Sequence, residues 1–452
     1  MYSRWQQTVF ENSNKLAIRS FPDGRTLSFM ELQGRVERNI ASIPGISGWR
    51  NRIVAIHLQD AREWLEAFIT CQAVGAIALP IDFDVPETGV RAICESLHVI
   101  ALWQQRQIQA FAGATVRRPA SLIKLTSGST GEPRPLFFES KQMIADGENI
   151  VKTMGIRPDD INLATIPLGH SYALGNLVMP LILQGTAIVT SQDFLPYSLA
   201  ETIHASGATI FPAVPVILDG LVRAKVPCAQ LASIRTWISA GSPLKAEQAQ
   251  AFYQAFGAKI HNFYGTSETG GIAYDRTGDE ALSGGSIGAP LEGVQVQTAA
   301  SGRLWVSSGA VVQRNNVRRH EDQAAYLVAD LATVLPNGNI ALVGRGSRYI
   351  KLAGKRLNLS EIERFLLSQE GVDAAYVTDY RDGRGRTRVL ASVVSSLAAS
   401  SITDALKLRL PAWKVPSKWM YFDAFPVTRR GKVDVPKLRA SIFKQLDPQG
   451  KL

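Results

Sequence analysis

Residues 122–132 read Leu-Ile-Lys-Leu-Thr-Ser-Gly-Ser-Thr-Gly-Glu, with Pro133 and Arg134 next. Gly128 and Gly131 allow successive backbone N–H groups to turn toward one centre, and Thr126, Ser127, Ser129 and Thr130 add hydroxyl donors. Such a cradle suits an anion, and a polyphosphate is the obvious guest. A flexible Ser/Gly linker is the competing reading. Strand-like residues on both sides, 122–125 and Leu136-Phe137-Phe138, argue against it. The loop is not of the Walker type, because the Gly-x-x-x-x-Gly-Lys-Ser/Thr spacing is missing and no helix signal follows Gly131 directly. The cradle is therefore expected in a hairpin turn.

Four other stretches carry groups of chemical interest. In residues 261–271, His-Asn-Phe-Tyr-Gly-Thr-Ser-Glu-Thr-Gly-Gly, Glu268 lies among hydroxyls and glycines. It is suited to a Mg²⁺ that takes one or two carboxylates and fills its shell with phosphate oxygens; a solvated surface carboxylate is the alternative. Asp330, before a hairpin signal at Pro336-Asn337-Gly338-Asn339, can accept bonds from ribose hydroxyls. Residues 167–176 open an apolar run to Leu183 that reads as a pocket wall without a carboxylate, with His170 either touching substrate or structural. Near the C-terminus, Lys432 follows Gly431 in a basic turn.

The elements that must position these groups alternate. Residues 29–43 and 62–74 are amphipathic helical patterns, and residues 53–58 and 76–81 are short apolar strands, a βα alternation that predicts a layered, largely parallel α/β sheet. Ser140 is a plausible N-cap for a helix with Met143, Ile144, Gly147, Ile150, Val151 and Met154 on one stripe and Gly155 as its stop. Residues 186–190, 208–214 and 236–241 read as further strands, and the turns after them, at Ala213 and Gly241, fall where parallel sheets bind ligands. Ser360 with Glu363 predicts a capping box that starts a later helix.

At 452 residues, 46% of them hydrophobic, the chain is too long for one simple core, and two or three folded units are expected. Cys71, Cys94 and Cys228 are too few and too scattered for a zinc knuckle or a disulfide framework and read as buried thiols of a reducing compartment. The N-terminal residues lack an apolar signal core, and runs such as 177–183 fall far short of a membrane span, so a cytoplasmic protein is expected. Residues 346–452 contain 20 Lys and Arg against 10 Asp and Glu, which accounts for the whole net charge of +10. This asymmetry predicts a separate domain facing something acidic, nucleotide phosphates or a phosphopantetheine-bearing partner ahead of nucleic acid, which is not expected as a partner. A solvated basic face is the bland alternative. The Gly-flanked stretch from Gly344 marks the boundary between units 1–345 and 346–452.

Taken together, five motifs in this order resemble the adenylate-forming superfamily of acyl-CoA synthetases, aryl-acid ligases and peptide-synthetase adenylation domains, over nearly the whole chain. Thr126-Ser127-Gly128-Ser129-Thr130-Gly131 is similar to that family's phosphate loop, and Tyr264-Gly265-Thr266-Ser267-Glu268 to its adenine and magnesium motif. Asp330 matches its ribose-binding acid, Arg345 the arginine before its hinge and Lys432 its C-terminal catalytic lysine. The chain departs from the pattern in three places: Arg134 replaces the phosphate-loop lysine, Val328-Ala329-Asp330 replaces Thr-Gly-Asp, and Ser347 stands at the hinge. Short connections at 82–121 and 288–330 resemble those of small stand-alone aryl or acyl ligases.

The resemblance implies a large N-terminal domain of layered α/β sheets and a smaller, mobile α+β C-terminal domain. It also implies a two-step reaction in which a carboxylate attacks the α-phosphate of ATP, giving acyl-AMP and pyrophosphate, and a thiol then displaces AMP. Thr266 would contact the α-phosphate, Glu268 would hold Mg²⁺, and Lys432 and Arg345 would serve the reacting phosphoryl group. Rotation about Ser347 would exchange Lys432 for a thiol tunnel. His170, Ala213, Gly241 and Gly265 would border the acid. With no carboxylate on the wall to meet an α-ammonium, an aryl or other apolar acid is favoured over an amino acid or a fatty acid. CoA and the phosphopantetheine of an acyl carrier protein are the candidate acceptors. Arg381, Arg384, Arg386 and Arg388 form a basic loop suited to an acidic carrier. A nucleotide-binding protein without turnover is the reading from another class.

Overall fold

The computed structural model describes residues 1–105, 107–126, 134–191, 193–312, 318–320, 323–345, 349–352, 355–382, 386–410, 414–428 and 433–446. Backbone alone is described for 126, 318–320, 323, 344–345, 349, 351–352, 355–356, 358 and 409. The chain folds into two compact units. One comprises Met1–Gln297, Trp305–Val328 and Val334–Ala341; the other comprises Thr298–Leu304, Ala329–Thr333 and Leu342–Leu452.

The larger unit is the layered α/β assembly that the alternation predicts. Its nine-stranded sheet has six neighbouring parallel strands, in the order Ile260–Thr266, Thr236–Ser239, Ile210–Ala213, Ile161–Ala164, Ala187–Ser191 and Leu16–Phe21. Antiparallel edges are added by Gly270–Tyr274 and Ala289–Pro290 on one side and by Thr26–Ser28 on the other. A second, six-stranded sheet runs Gln107–Ala110, Ala101–Gln104, Ile53–Ile56, Ile77–Pro80, Leu122–Thr126 and Arg134–Phe138, parallel in its middle and antiparallel at both ends. Strands such as Ile53–Ile56 are buried at every position, as a parallel sheet covered on both faces requires.

In the larger unit, the helices read from the sequence start and stop where their signals place them, with one shift. Ser28 caps Phe29–Ser42 in a capping box with Glu31, and Asp60 caps Ala61–Val74, which ends at a left-handed Gly75. Helix Ser140–Met154 stops at Gly155 as expected, but its N-cap is Glu139 and not Ser140. The Glu139 N–H donates to the Gln142 side chain at 2.8 Å. A cap one residue earlier leaves Ser140 as the first helical residue.

The smaller unit is α+β. Val372–Arg381 and Thr387–Ser395 pair antiparallel, and Lys418–Tyr421 joins in parallel. Alternation along the central strand separates two cores: Val389, Ala391 and Val393 pack with Ile362, Leu366 and Leu406, while Leu390 packs with Met420, Leu438 and Ile442. Helix Leu359–Leu367 begins one residue before Ser360, which therefore lies inside the first turn, and the Glu363 carboxylate accepts the Val377 N–H at 2.6 Å. The expected capping box is replaced by a tie from helix to sheet. Cys71 and Cys94 are buried, and burial pushes their thiols up to about 12 and about 11, whereas Cys228 is exposed, against expectation. No helix among the described residues is long and apolar enough to cross a membrane.

Candidate active site

The hydroxyl- and glycine-rich loop is flanked as a hairpin loop should be. Thr126 is registered opposite Arg134, at the ends of antiparallel strands Leu122–Thr126 and Arg134–Phe138. Ser127, Gly128, Ser129, Thr130 and Gly131 lie outside the described residues, and Arg134 is exposed at the strand start. Alternation along the first strand turns Ile123 and Leu125 into one core and leaves Lys124 on the face of Leu122. Lys124 is only 5% exposed, with Nζ 4.5 Å from the centre of the Phe138 ring. Burial lowers its pKa, and the negative charges of Asp146 and Glu268 oppose that shift. The strand that leads into the hydroxyl- and glycine-rich loop thus places a cation within electrostatic reach of Glu268.

Glu268 sits on the turn between Ile260–Thr266 and Gly270–Tyr274. The turn is tied by Thr266 Oγ1 to Thr269 Oγ1 at 3.0 Å, by the Thr269 N–H to the Thr266 carbonyl at 3.3 Å, and by the Val312 N–H to the Glu268 carbonyl at 2.8 Å. Gly265 is required here for packing: the register slips between Tyr264 and Gly265, and a Cβ on Gly265 would lie 2.6 Å from the Gly270 carbonyl oxygen. At the far end of the turn, the Gly271 N–H donates to Asp146 Oδ1 at 2.8 Å.

The expected pocket wall joins this turn directly. Ser171 Oγ donates to Ser267 Oγ at 3.2 Å, the Tyr172 hydroxyl reaches the Ala213 carbonyl at 3.4 Å, and the Tyr172 and Phe263 rings lie 5.7 Å apart. Burial raises the Tyr172 pKa well above its usual value, so the ring is neutral and acts as an apolar surface with one donor. The Ala240 N–H bonds to the Ala213 carbonyl, which brings the Gly241 turn beside the same strand end. Gly241 has φ of +86°, so a side chain there would strain the backbone whatever the space around it. His170 Nε2 lies 3.6 Å from Asp82 Oδ1, a carboxylate supplied from beyond strand Ile77–Pro80.

The larger unit therefore unites His170, Ala213, Gly241, Tyr264, Gly265, Thr266 and Glu268 at the carboxyl ends of parallel strands, where α/β sheets bind ligands. Asp330 belongs to the smaller unit, in segment Ala329–Thr333; Arg345 is described by backbone alone; Ser347 and Lys432 lie outside the described residues. Lys124, Asp146, Tyr172 and Asp82 are further polar or aromatic groups of the site. Two of them had a signal in the chain: Lys124 interrupts an apolar strand, and Asp146 falls within the apolar stripe between Met143 and Ile150. Among the described residues no cluster of three metal-ligating side chains exists. A half-buried Glu268 beside two threonines fits a Mg²⁺ held by one carboxylate, phosphate oxygens and water, and does not fit a metal held by protein alone.

Residues 109–304 match the family described as AMP-binding enzyme. A feruloyl-CoA synthase of an Amycolatopsis species is 24% identical over 91% of this chain and 93% of its own length. An indoleacetate–CoA ligase of Aromatoleum aromaticum is 25% identical over 95% and 96%. Among solved structures, ATP-bound MatB from Rhodopseudomonas palustris superposes with a TM-score of 0.83 over 97% of this chain and 98% of that one, at 19% identity. The α/β and α+β architecture fits these comparisons, which support a place for the chain among the adenylate-forming enzymes.

Proposed function

We propose that this protein activates an aromatic or other apolar carboxylic acid with ATP and passes the acyl group to a thiol. The observation that carries the substrate class is the Ser171–Ser267 contact, which sets the wall of Tyr172, Phe263 and Ala213 directly against the Thr266–Glu268 turn. An acid lying along that wall presents its carboxylate to the turn, where the α-phosphate must sit for reaction. The buried acid nearest the turn, Asp146, already serves the Gly271 N–H and Lys124, so an α-ammonium gains no free counter-charge there. The names of the feruloyl-CoA and indoleacetate–CoA relatives agree with an aromatic substrate.

In the first step a carboxylate oxygen attacks the α-phosphorus and pyrophosphate leaves; in the second a thiolate adds to the acyl carbon and AMP leaves. Because one developing charge is met by oriented hydrogen bonds and cations, positioning supplies most of the acceleration. Thr266 contacts the α-phosphate, Asp330 the ribose, Arg134 and Arg345 the phosphates, and Lys432 the substrate carboxylate and the phosphoryl oxygens. Bound at Glu268, Mg²⁺ supplies charge neutralisation to the phosphates. The thiol belongs to CoA or to the phosphopantetheine of an acidic carrier protein. In the loop suited to such a carrier, Arg386 and Arg388 both pair with Asp382 at 3.1 Å, which lowers the free positive charge that a carrier would meet.

An acid-dependent pyrophosphate-release screen over aryl, fatty and amino acids tests the reading, with the highest turnover expected for an aryl acid. Lys432→Ala is expected to slow that release at least ~10²-fold while leaving thiol transfer from supplied acyl-AMP intact. Release at the wild-type rate would remove Lys432 from the reaction. The absence of release with every acid would leave a nucleotide-binding protein without turnover.

A further inference from the structure

One helix is tied to the Glu268 turn at two points, directly beyond its C-terminal end and through Val311–Val312 at its middle. Asp146 of helix Ser140–Met154 accepts the Gly271 N–H at 2.8 Å, on the C-terminal side of the turn. Four residues earlier on the same helix, Gln142 donates to the Val311 carbonyl, and the next residue, Val312, donates its N–H to the Glu268 carbonyl at 2.8 Å. Side chains four apart share a helix face, so the two contacts act as a single clamp. The same helix starts two residues after strand Arg134–Phe138, the returning arm of the phosphate-loop hairpin. The outgoing arm contributes Lys124, whose charge acts on both Asp146 and Glu268.

The fit around Asp146 is close. Its side chain belongs to a residue 3% exposed, a Cβ on Gly270 would collide with its carboxylate, and a Cβ on Gly175 would lie 3.3 Å from Oδ2. Glycines on two sides let the carboxylate approach the backbone, and a buried carboxylate is a costly way to satisfy one amide N–H. Its position makes sense as a registration device: a phosphate loop and a metal-binding turn that must hold one triphosphate need a fixed separation, and the clamp sets it. We propose that Asp146, assisted by Gln142, is a positioning residue that fixes the Glu268 turn relative to the phosphate-loop hairpin and thereby sets the affinity for Mg·ATP.

The proposal rests on the ATP-dependent reading above and is tested so that the two fail separately. Asp146→Ala alone would strand a buried lysine, so both charges are removed together. Lys124→Met/Asp146→Asn keeps an acceptor oxygen for the Gly271 N–H, and Lys124→Met/Asp146→Ala does not. Calorimetry should find Mg·ATP bound about tenfold more weakly by the Ala variant than by the Asn variant, with equal affinity for the acid, in the range expected for one well-placed hydrogen bond. Amide exchange of residues 264–271, measured without ligand, should be about tenfold faster in the Ala variant. Equal exchange in the two variants overturns the proposal even if the protein proves to bind no nucleotide. Faster exchange in a protein that binds no nucleotide keeps the clamp and overturns the function assigned to it. If the Ala variant does not fold, Gln142→Met releases the other end of the clamp: unchanged exchange and unchanged Mg·ATP affinity then overturn the proposal, and weaker Mg·ATP binding at unchanged acid affinity supports it.

Discussion

Two buried aspartates of the larger unit sit in opposite environments. Asp160, 4% exposed, precedes strand Ile161–Ala164 at the amino end of the parallel sheet. It accepts hydrogen bonds from Arg235 Nε at 2.9 Å and Arg235 Nη2, from the Arg157 N–H at 2.7 Å and from Thr209 Oγ1 at 2.8 Å. Burial pushes its pKa up, but those donors outweigh burial and hold the carboxyl below the usual range. Asp146 is about equally buried and accepts the Gly271 N–H; burial dominates, Lys124 offsets it only in part, and its pKa is raised. A saturated acid ties the starts of three strands together, whereas an undersaturated one lies beside the Glu268 turn, at the candidate site where perturbed groups are expected to gather.

The largest effect that separates the two is on stability. Arg235 braces Asp160 and also donates to the Gly155 carbonyl at 2.8 Å, so Arg235→Met leaves an uncompensated carboxylate and an open helix end. Chemical denaturation should register a loss of about 3–5 kcal/mol, with the Mg·ATP affinity of the folded fraction unchanged. A loss of nucleotide affinity comparable to that of Lys124→Met/Asp146→Ala would erase the distinction between brace and site.

The next effect is in the pH dependence. A carboxyl whose pKa is depressed on folding contributes stability above its ordinary value of 3.8, and that contribution is lost as pH falls through the folded value. A carboxyl whose pKa is raised, as at Asp146, opposes folding at neutral pH and regains stability as pH falls through its folded value. Asp160→Asn should therefore flatten the acid limb of Tm against pH, and Lys124→Met/Asp146→Asn should steepen it relative to wild type. Parallel acid limbs for wild type and Asp160→Asn would show that the depressed pKa is not realised.

The same contrast explains how much was legible in the chain. The βα alternation, the glycine-terminated helices and the Tyr264–Glu268 motif depend on neighbours in sequence, and they appear where local pattern puts them. The Ser140 cap and the Ser360–Glu363 box were displaced because tertiary partners competed: Gln142 serves the Glu139 N–H and Val311, and Glu363 takes a strand N–H. Asp146, Lys124 and Asp82 were not read as site residues because their meaning comes from partners far along the chain, such as Gly271. A charge inside an apolar stripe was the visible trace of that, for Asp146 and Lys124 but not for Asp82.

The smallest effect probes the brace at its edge. Thr209 is half-buried and uses one hydroxyl twice: Oγ1 donates to Asp160 Oδ1 at 2.8 Å and accepts the Ile161 N–H at 3.0 Å. Thr209→Val keeps the β-branched shape that a strand entry tolerates but removes both bonds, leaving the Ile161 N–H without its acceptor. Arg235 still neutralises Asp160, so no charge is stranded and the cost should stay near 1–2 kcal/mol, well below that of Arg235→Met. Losing one donor also moves the Asp160 pKa back toward its ordinary value, so Asp160 contributes less to the acid limb of Tm, which should flatten part of the way toward that of Asp160→Asn. If Thr209→Val costs as much as Arg235→Met, the hydroxyl and not the guanidinium is the centre of the brace, and Asp160 is held by its backbone-side partners.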